Sequence, residues 1–261
     1  MTKEHGQSIM PASHWDSLYR KQGLVRRYQF TKWDFAFLAE LSDHLSMFTQ
    51  RRSSTFLEVG CAPAKFLVYF HQVFGWEVAG IEKSEPGLAM SEALLEANGV
   101  KARLYAGDIF EVEPDRQYDV VGAFGLVEHF EDPLPCYRVM VRWLRPGGAM
   151  IVTVPNLLGP EGWAMRHRNY QHYISHRHFS PADLANHCRV VGLRVVFHGL
   201  VGNLIIPYVC DRRSKAPLQR LANYPSQLFN GLVRRAAKMM ARPIKLGALT
   251  LAAGCIAFKD K

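Results

Sequence analysis

The chain is 261 residues long, 48% hydrophobic and 21% charged, which is enough to bury a sizeable core and excludes global disorder. Its formal charge of +9 is unevenly spread: residues 1–204 hold 21 basic and 21 acidic residues, and the last 57 hold 11 basic and 2 acidic. A uniformly basic nucleic-acid coat is therefore excluded, no DNA partner is expected, and one local basic face remains. Cys61, Cys136, Cys188, Cys210 and Cys255 are scattered, odd in number and free of C-x-x-C pairs, so neither a disulfide framework nor a thiolate zinc site is suggested. The N-terminus lacks a signal-peptide apolar core, and no apolar run nears the roughly 18 residues of a membrane helix. Cytoplasm is the expected compartment.

Residues 14–48 read as helical, with an interruption at Gly23 and apolar residues Phe35, Phe37, Leu38, Leu41, Leu45 and Phe48 at helical spacing. From Phe56 the pattern changes to short apolar runs alternating with helices. Strands are expected at 56–60, 76–82, 102–108, 118–124, 149–155, 193–199 and 254–260. Helices are expected at 65–74, 87–98, 133–144 and 181–191, the last with Ser180 as N-cap. This alternation implies crossover units, hence an α/β fold with a largely parallel sheet covered on both faces. Three parts follow: an N-terminal helical lid (1–50), a core (51–204 and 251–261) and a basic helical insertion (205–250).

In such sheets ligands bind beyond the carboxyl ends of the strands. The loop after the first strand, Glu58-Val-Gly60-Cys-Ala62-Pro-Ala64, has a small residue at every second position, which lets backbone approach a ligand or simply makes a tight turn. Glu82 ends the second strand, where a carboxylate can grip the two hydroxyls of a ribose or stand solvated. Asp108 and Ile109 follow the third strand, placed either to meet an adenine or to cap a helix. The fourth strand ends in Phe124-Gly125-Leu126-Val127-Glu128-His129-Phe130.

Taken in order and spacing, FLEVGCAPAKFL, AGIEKS, AGDIF, YDVVGAFGLVEHF and LRPGGAMIVTVPN resemble the successive motifs of the class I S-adenosylmethionine-dependent methyltransferases. The closest flavour is the group of ubiquinone-biosynthesis-type and small-molecule enzymes. The resemblance covers roughly residues 54–200. It implies a Rossmann-like, doubly wound seven-stranded sheet whose last strand is antiparallel. It makes Glu58, Gly60, Ala62 and Ala64 the first cofactor loop, gives Glu82 the ribose and Asp108 with Ile109 the adenine, and sets Phe124 and Gly125 near the methionine part. The sequence departs from the family twice. Ala62 and Ala64 replace the usual second and third glycines. Gly125 stands where some ubiquinone-type enzymes carry a glutamate that completes a magnesium site with the Glu-His pair, so no required metal is expected.

Methyl transfer needs an aligned acceptor, and a hydroxyl acceptor must also lose a proton. His129, directly after the fourth strand, is the first candidate for base or positioner, against a packing role. A second cluster follows strand five: Asn156, His167, Tyr170, His172, Tyr173, His176 and His178. Asn156, Tyr170, His172 and Tyr173 are candidate acceptor-binding residues, with Tyr19 from the lid, and His176 and His178 are further catalytic candidates; a polar surface loop is the plainer alternative. Trp15, Tyr19, Tyr28, Phe30 and Trp33 give the N-terminal segment its aromatic density.

In the insertion, Leu228, Phe229, Leu232, Val233, Ala236, Met239 and Met240 fall at helical spacing, with Arg234, Arg235, Lys238 and Arg242 largely outside the stripe. The favoured expectation is a lid helix packing that stripe inward; the alternative is contact with an anionic membrane, an acidic protein or a carrier through 228–245. The sequence thus points to O-methylation of a small-molecule hydroxyl on a secondary metabolite, sugar or phenol. Its rivals are an N- or lipid-directed methyltransferase and a non-catalytic scaffold; an RNA acceptor is disfavoured by the neutrality of residues 1–204.

Overall fold

A computed structural model describes residues 8–21, 26–51, 53–207 and 217–260. Gly23, Cys210 and the stretch 208–216 of the insertion lie outside the described residues. Seven strands form one sheet: β1 (Thr55–Val59), β2 (Glu77–Glu82), β3 (Ala102–Ala106), β4 (Tyr118–Phe124), β5 (Leu144–Pro155), β6 (Arg194–Leu204) and β7 (Thr250–Phe258). Their order is β3-β2-β1-β4-β5-β7-β6. β7 runs antiparallel to both its neighbours, and the other pairs are parallel. The expected sheet is therefore the observed one.

The helices are α1 (Ala12–Lys21), α2 (Ala36–Ser42), α3 (Ser46–Thr49), α4 (Lys65–Phe74), α5 (Glu85–Ala97), α6 (Leu134–Trp143), α7 (Pro160–Arg168), α8 (Tyr170–Ile174), α9 (Pro181–Val190), α10 (Pro217–Ala222) and α11 (Tyr224–Met240). Because successive strand side chains alternate, the sheet feeds two cores. Leu57, Val59, Val121, Met150 and Val152 pack with Met140, Trp143 and Leu184 of α6 and α9. Phe56, Val78, Val120 and Ile151 pack with Leu38, Leu67, Phe70 and Leu94 on the other face. Order reversal between β1 and β4 opens the crevice at the carboxyl ends of the strands, where the expected site residues lie.

Some boundaries moved, each for a local reason. The stretch 34–48 is two short helices, because Phe35 takes an extended conformation (φ −122°, ψ 90°) ahead of α2 and Leu45 leaves helical geometry ahead of α3. The Arg-Pro-Gly-Gly turn belongs to β5, since Gly147 N–H donates to the Lys259 carbonyl and Lys259 N–H to that of Gly148. The His- and Tyr-rich stretch is two short helices, α7 and α8, and Asn169 caps the second by accepting from His172 N–H.

The largest correction concerns α11. Its buried residues are Ser226, Asn230, Val233 and Ala237, a stripe at helical spacing made mostly of polar and small side chains. Most of the apolar stripe expected to pack inward faces out: Leu228, Leu232 and Met239 are 52%, 53% and 87% exposed, and of that stripe Val233 alone is buried. The reason is backbone satisfaction beyond the end of β6. Asn230 Oδ1 accepts from Ile206 N–H (2.8 Å), its Nδ2 donates to the Ile206 carbonyl (3.0 Å), and Ser226 Oγ donates to the Pro207 carbonyl (3.0 Å). Among the described residues no helix is long and apolar enough to cross a membrane.

These contacts set a contrast measurable by denaturant unfolding. Asn230→Ala orphans both polar groups of Ile206 and should cost about 1–3 kcal/mol. Leu228→Ala, on the exposed side, should stay within about 0.5 kcal/mol of the parent.

Candidate active site

The first loop keeps a glycine-like path despite its alanines. Gly60 sits at φ 71°, and Leu126 covers it so closely that an added Cβ would stand 3.1 Å from Leu126 Cδ1. Ala64 adopts φ 65°, ψ 20° as α4 begins, a left-handed conformation that costs a residue with a Cβ roughly 1–2 kcal/mol. The backbone therefore follows the route that the family's glycine would take without strain. Glu82 braces the loop: its Oε2 accepts from Ala62 N–H (3.2 Å) and its Oε1 from Ser84 N–H (2.8 Å). Each oxygen keeps a lone pair for a further donor.

Glu58, on the same strand face as Phe56, is 2% exposed, and its Oε2 makes no hydrogen bond. Burial, with the nearby Glu82 charge, holds its carboxyl well above the usual range, and burial raises Glu82 as well. A buried carboxyl without a partner suits a cationic ligand group, and two free lone pairs on Glu82 suit two hydroxyls. These residues fit S-adenosylmethionine, which carries an ammonium, a sulfonium and a ribose. Ile109 is buried against the β1–β4 core. Asp108 turns the chain by accepting from Phe110 N–H (3.1 Å) and lies 3.5 Å from Lys83 Nζ. The Phe124 ring joins an aromatic cluster with Phe37, Phe56, Phe66 and Phe70, so near the site that position offers backbone rather than ring.

The N-terminal segment closes over this crevice. Asp16 accepts from Ser84 Oγ (2.6 Å), tying α1 to the cap of α5. The Tyr19 hydroxyl donates to the Ala62 carbonyl (3.4 Å), which places Tyr19 on the cofactor loop rather than beside the acceptor cluster. Trp15 meets the His129 ring edge-on at 4.8 Å, and Ile9 N–H donates to the His129 carbonyl. Tyr28 and Phe30 stack on each other, and Phe30 packs against Tyr69 of α4, away from the crevice.

His129 and His176 come together from distant segments, with ring centroids 4.5 Å apart and both residues buried. His129 Nδ1 lies 3.2 Å from the Ser175 carbonyl, and His176 Nδ1 lies 2.7 Å from that of His172. A carbonyl only accepts, so both Nδ1 atoms carry the proton and both Nε2 atoms keep a lone pair. Burial lowers His129 to about 4; burial and the neighbouring His129 lower His176 to about 3. Burial pushes Glu128 up to about 8, and its Oε2 has no partner. The three are neutral together near pH 7.

Glu128, His129 and His176 also place one donor atom each within 4.8 Å of one another, the donor set of a divalent-metal site. The sequence expectation of no metal counted only Glu128 and His129 and found no acid at ligand spacing near the histidine cluster; folding brings the two groups together. Gly125 lies at φ 74°, and an added Cβ there would stand 3.4 Å from Glu128 Oε1. A second carboxylate at that position would thus be strained, whereas His176 arrives from the opposite segment.

Other candidates have different employment. Asn156 was expected to bind the acceptor, but its Nδ2 donates to the carbonyls of Ala248 (2.9 Å) and Thr250 (3.0 Å), anchoring the entry to β7. His178 packs against Tyr173 at 4.2 Å instead of joining the histidine pair. Tyr170 is 54% exposed, and His167 bonds back to the Trp163 carbonyl within α7. His172 supports His176 through its carbonyl. Leu126 and Ser175 went unnoticed in the sequence, since a leucine beside a glycine and a serine before a histidine carry no pattern of their own.

The buried acids predict how stability depends on pH in the ligand-free protein. Glu128 binds its proton more tightly folded than unfolded, so its contribution declines as pH rises from about 4.5 to 8, and Glu58 acts in the same direction. His129 and His176 act oppositely, but their window closes near pH 6.5. Unfolding free energy should therefore fall between pH 6.5 and 8, and Glu128→Gln should remove about 1.4 kcal/mol of that fall per pH unit. Urea titrations at the two pH values would show it.

A family model described as a methyltransferase domain matches residues 25–198. The chain is 27% identical over 152 residues to a ubiquinone biosynthesis O-methyltransferase of Marinobacter nauticus, spanning 53% of this chain and 63% of that protein. It is 26% identical over 141 residues to phosphoethanolamine N-methyltransferase 3 of Arabidopsis thaliana, across 52% of this chain and 28% of that one. The match thus spans less than two thirds of these curated relatives. Among solved structures, Haemonchus contortus phosphoethanolamine N-methyltransferase 2 in complex with S-adenosyl-L-methionine shares the fold at a TM-score of 0.55 and 15% identity, covering 87% of this chain and 54% of that one. With the motif order, the strand order and a family match over most of its length, the chain belongs to the class I S-adenosylmethionine-dependent methyltransferases.

Proposed function

We propose that this protein methylates a hydroxyl of a small molecule, with His129 as proton acceptor and the crevice beyond β1, β2 and β4 as the cofactor site. When bound, S-adenosylmethionine supplies an electrophilic methyl group on a sulfonium. The chain's own residues do the rest. Glu82 holds hydroxyls, Glu58 meets positive charge, and α1 with Trp15 and Tyr19 keeps water from the crevice. One observation carries the choice of oxygen: two buried imidazoles, each with Nδ1 fixed on a carbonyl, leave Nε2 lone pairs to receive a hydroxyl proton. The alkoxide or phenolate character that develops as the proton moves to His129 Nε2 makes the oxygen nucleophilic. The similarity to ubiquinone-type O-methyltransferases supports a phenolic acceptor; that to N-methyltransferases keeps a nitrogen acceptor as the rival.

Two measurements decide. Calorimetry should find S-adenosylmethionine binding that Glu82→Ala weakens tenfold or more, about 1.4 kcal/mol. Absence of binding to well-folded protein would defeat the enzyme assignment for this chain. In a methyl-transfer screen over hydroxylated and amine acceptors, His129→Gln should lower kcat by about 10²–10⁴ with cofactor affinity retained. Because His129 stays neutral down to about pH 4, kcat/KM should lack an acid limb near 6.5. Activity that survives a chelator supports proton acceptance by His129. Activity lost to chelator and restored by a divalent ion would assign Glu128, His129 and His176 to a metal instead.

A further inference from the structure

The outer face of α11 has no role in the crevice, and its chemistry is specific. Leu228, Leu232 and Met239 lie on the side directly opposite the buried Ser226, Asn230, Val233 and Ala237. At 1.5 Å per residue they span roughly 16 Å along the helix. Tyr224, one turn before Leu228, is 59% exposed and Phe229 is 37% exposed, so the outer face carries aromatic as well as aliphatic groups. Leu228 and Leu232 border a recess of about 460 Å³ together with Trp33, Asp34, Arg234, Arg235 and Lys238. Lys238 pairs with Asp34 (2.9 Å), whereas Arg234 and Arg235 have no acidic partner among the described residues. A cationic recess with a tryptophan at its wall, bordered by an exposed apolar face, has two needs at once: anionic groups for the arginines and an apolar phase for the leucines.

We infer that α11 lies flat on an anionic phospholipid surface, with Leu228, Leu232 and Met239 dipping among the acyl chains and Arg234 and Arg235 against headgroup phosphates. Charge complementarity selects this occupant: the last 57 residues carry 11 basic residues against 2 acidic ones, while the rest of the chain is neutral. A phosphate in solution would engage the arginines but leave the apolar face in water. A folded acidic protein would meet the arginines with its charges and would need an apolar patch of its own for Leu228, Leu232 and Met239. The inference rests on no particular methylation reaction, so it stands or falls separately from the proposed activity.

The test is vesicle co-sedimentation of the full chain at about 0.1 M salt, with phosphatidylcholine vesicles and with vesicles containing one third phosphatidylglycerol. Partition onto the anionic vesicles should exceed that onto the neutral ones at least tenfold. Joint replacement Leu228→Ser, Leu232→Ser and Met239→Ser should reduce it at least tenfold, and Arg234→Gln with Arg235→Gln should abolish the preference for anionic lipid. All five positions are exposed, so circular dichroism and the melting temperature should match the parent and separate lost binding from lost folding. Equal or absent partition onto both vesicle types would overturn the inference. So would anionic binding that survives the serine replacements, or that inorganic phosphate displaces at matched ionic strength, because either would reduce the face to an anion or acidic-protein contact.

Discussion

Three carboxyl groups are taken out of water around the crevice, and neither Glu58 nor Glu128 has a lysine or arginine acting on it, while Glu82 has only Lys83 next to it in the chain. Glu58 lies within β1, Glu82 ends β2 and Glu128 follows β4, and burial raises all three. A folded chain accepts such a cost only where the gain lies in ligand recognition, since burying an uncompensated carboxylate is avoided elsewhere by pairing or exposure. Here the surface acids are paired as expected, for example Asp119 with Arg145 and Glu77 with Arg116. The contrast separates scaffold from site. The scaffold is two cores around the sheet; the site is the rim where polar groups are deliberately under-satisfied by the chain itself.

The sheet was legible because its signals are local. Buried parallel strands read as short apolar runs, and Ser180 announces the start of α9, whereas the Ser84 cap that starts α5 two residues before the expected 87 was not read. The four expected cofactor segments lie together at one edge, since β1, β2, β3 and β4 run parallel and end on the same side. Ala64 keeps the left-handed path of a glycine and bears in backbone strain what a glycine would avoid.

What escaped the sequence depends on contacts across it. The third member of the Glu128–His129 cluster is His176, and nothing in the spacing of a histidine-rich stretch says which of its members turns inward. The structure decides through the carbonyls of His172 and Ser175, which orient the two rings that face each other. The same logic removed Asn156 from the acceptor site. A polar side chain after a strand looks available until the approach to the next strand takes both of its amide hydrogens.

Helix α11 shows which force wins when periodicity and hydrogen bonding disagree. Its apolar stripe would gain up to about 1.5–3 kcal/mol per fully buried leucine by facing in. The polar stripe instead serves the backbone beyond β6, where each buried orphan would cost about 1–3 kcal/mol. Three bonds to Ile206 and Pro207 against three large apolar side chains make the two orientations nearly equal in the isolated chain. Hydrogen bonding has direction and tolerates no substitute partner in a dry interface, whereas an apolar stripe can be satisfied by any nonpolar phase. A helix that gives its inner face to the bonds therefore leaves Leu228, Leu232 and Met239 exposed, with Arg234 and Arg235 on the same helix.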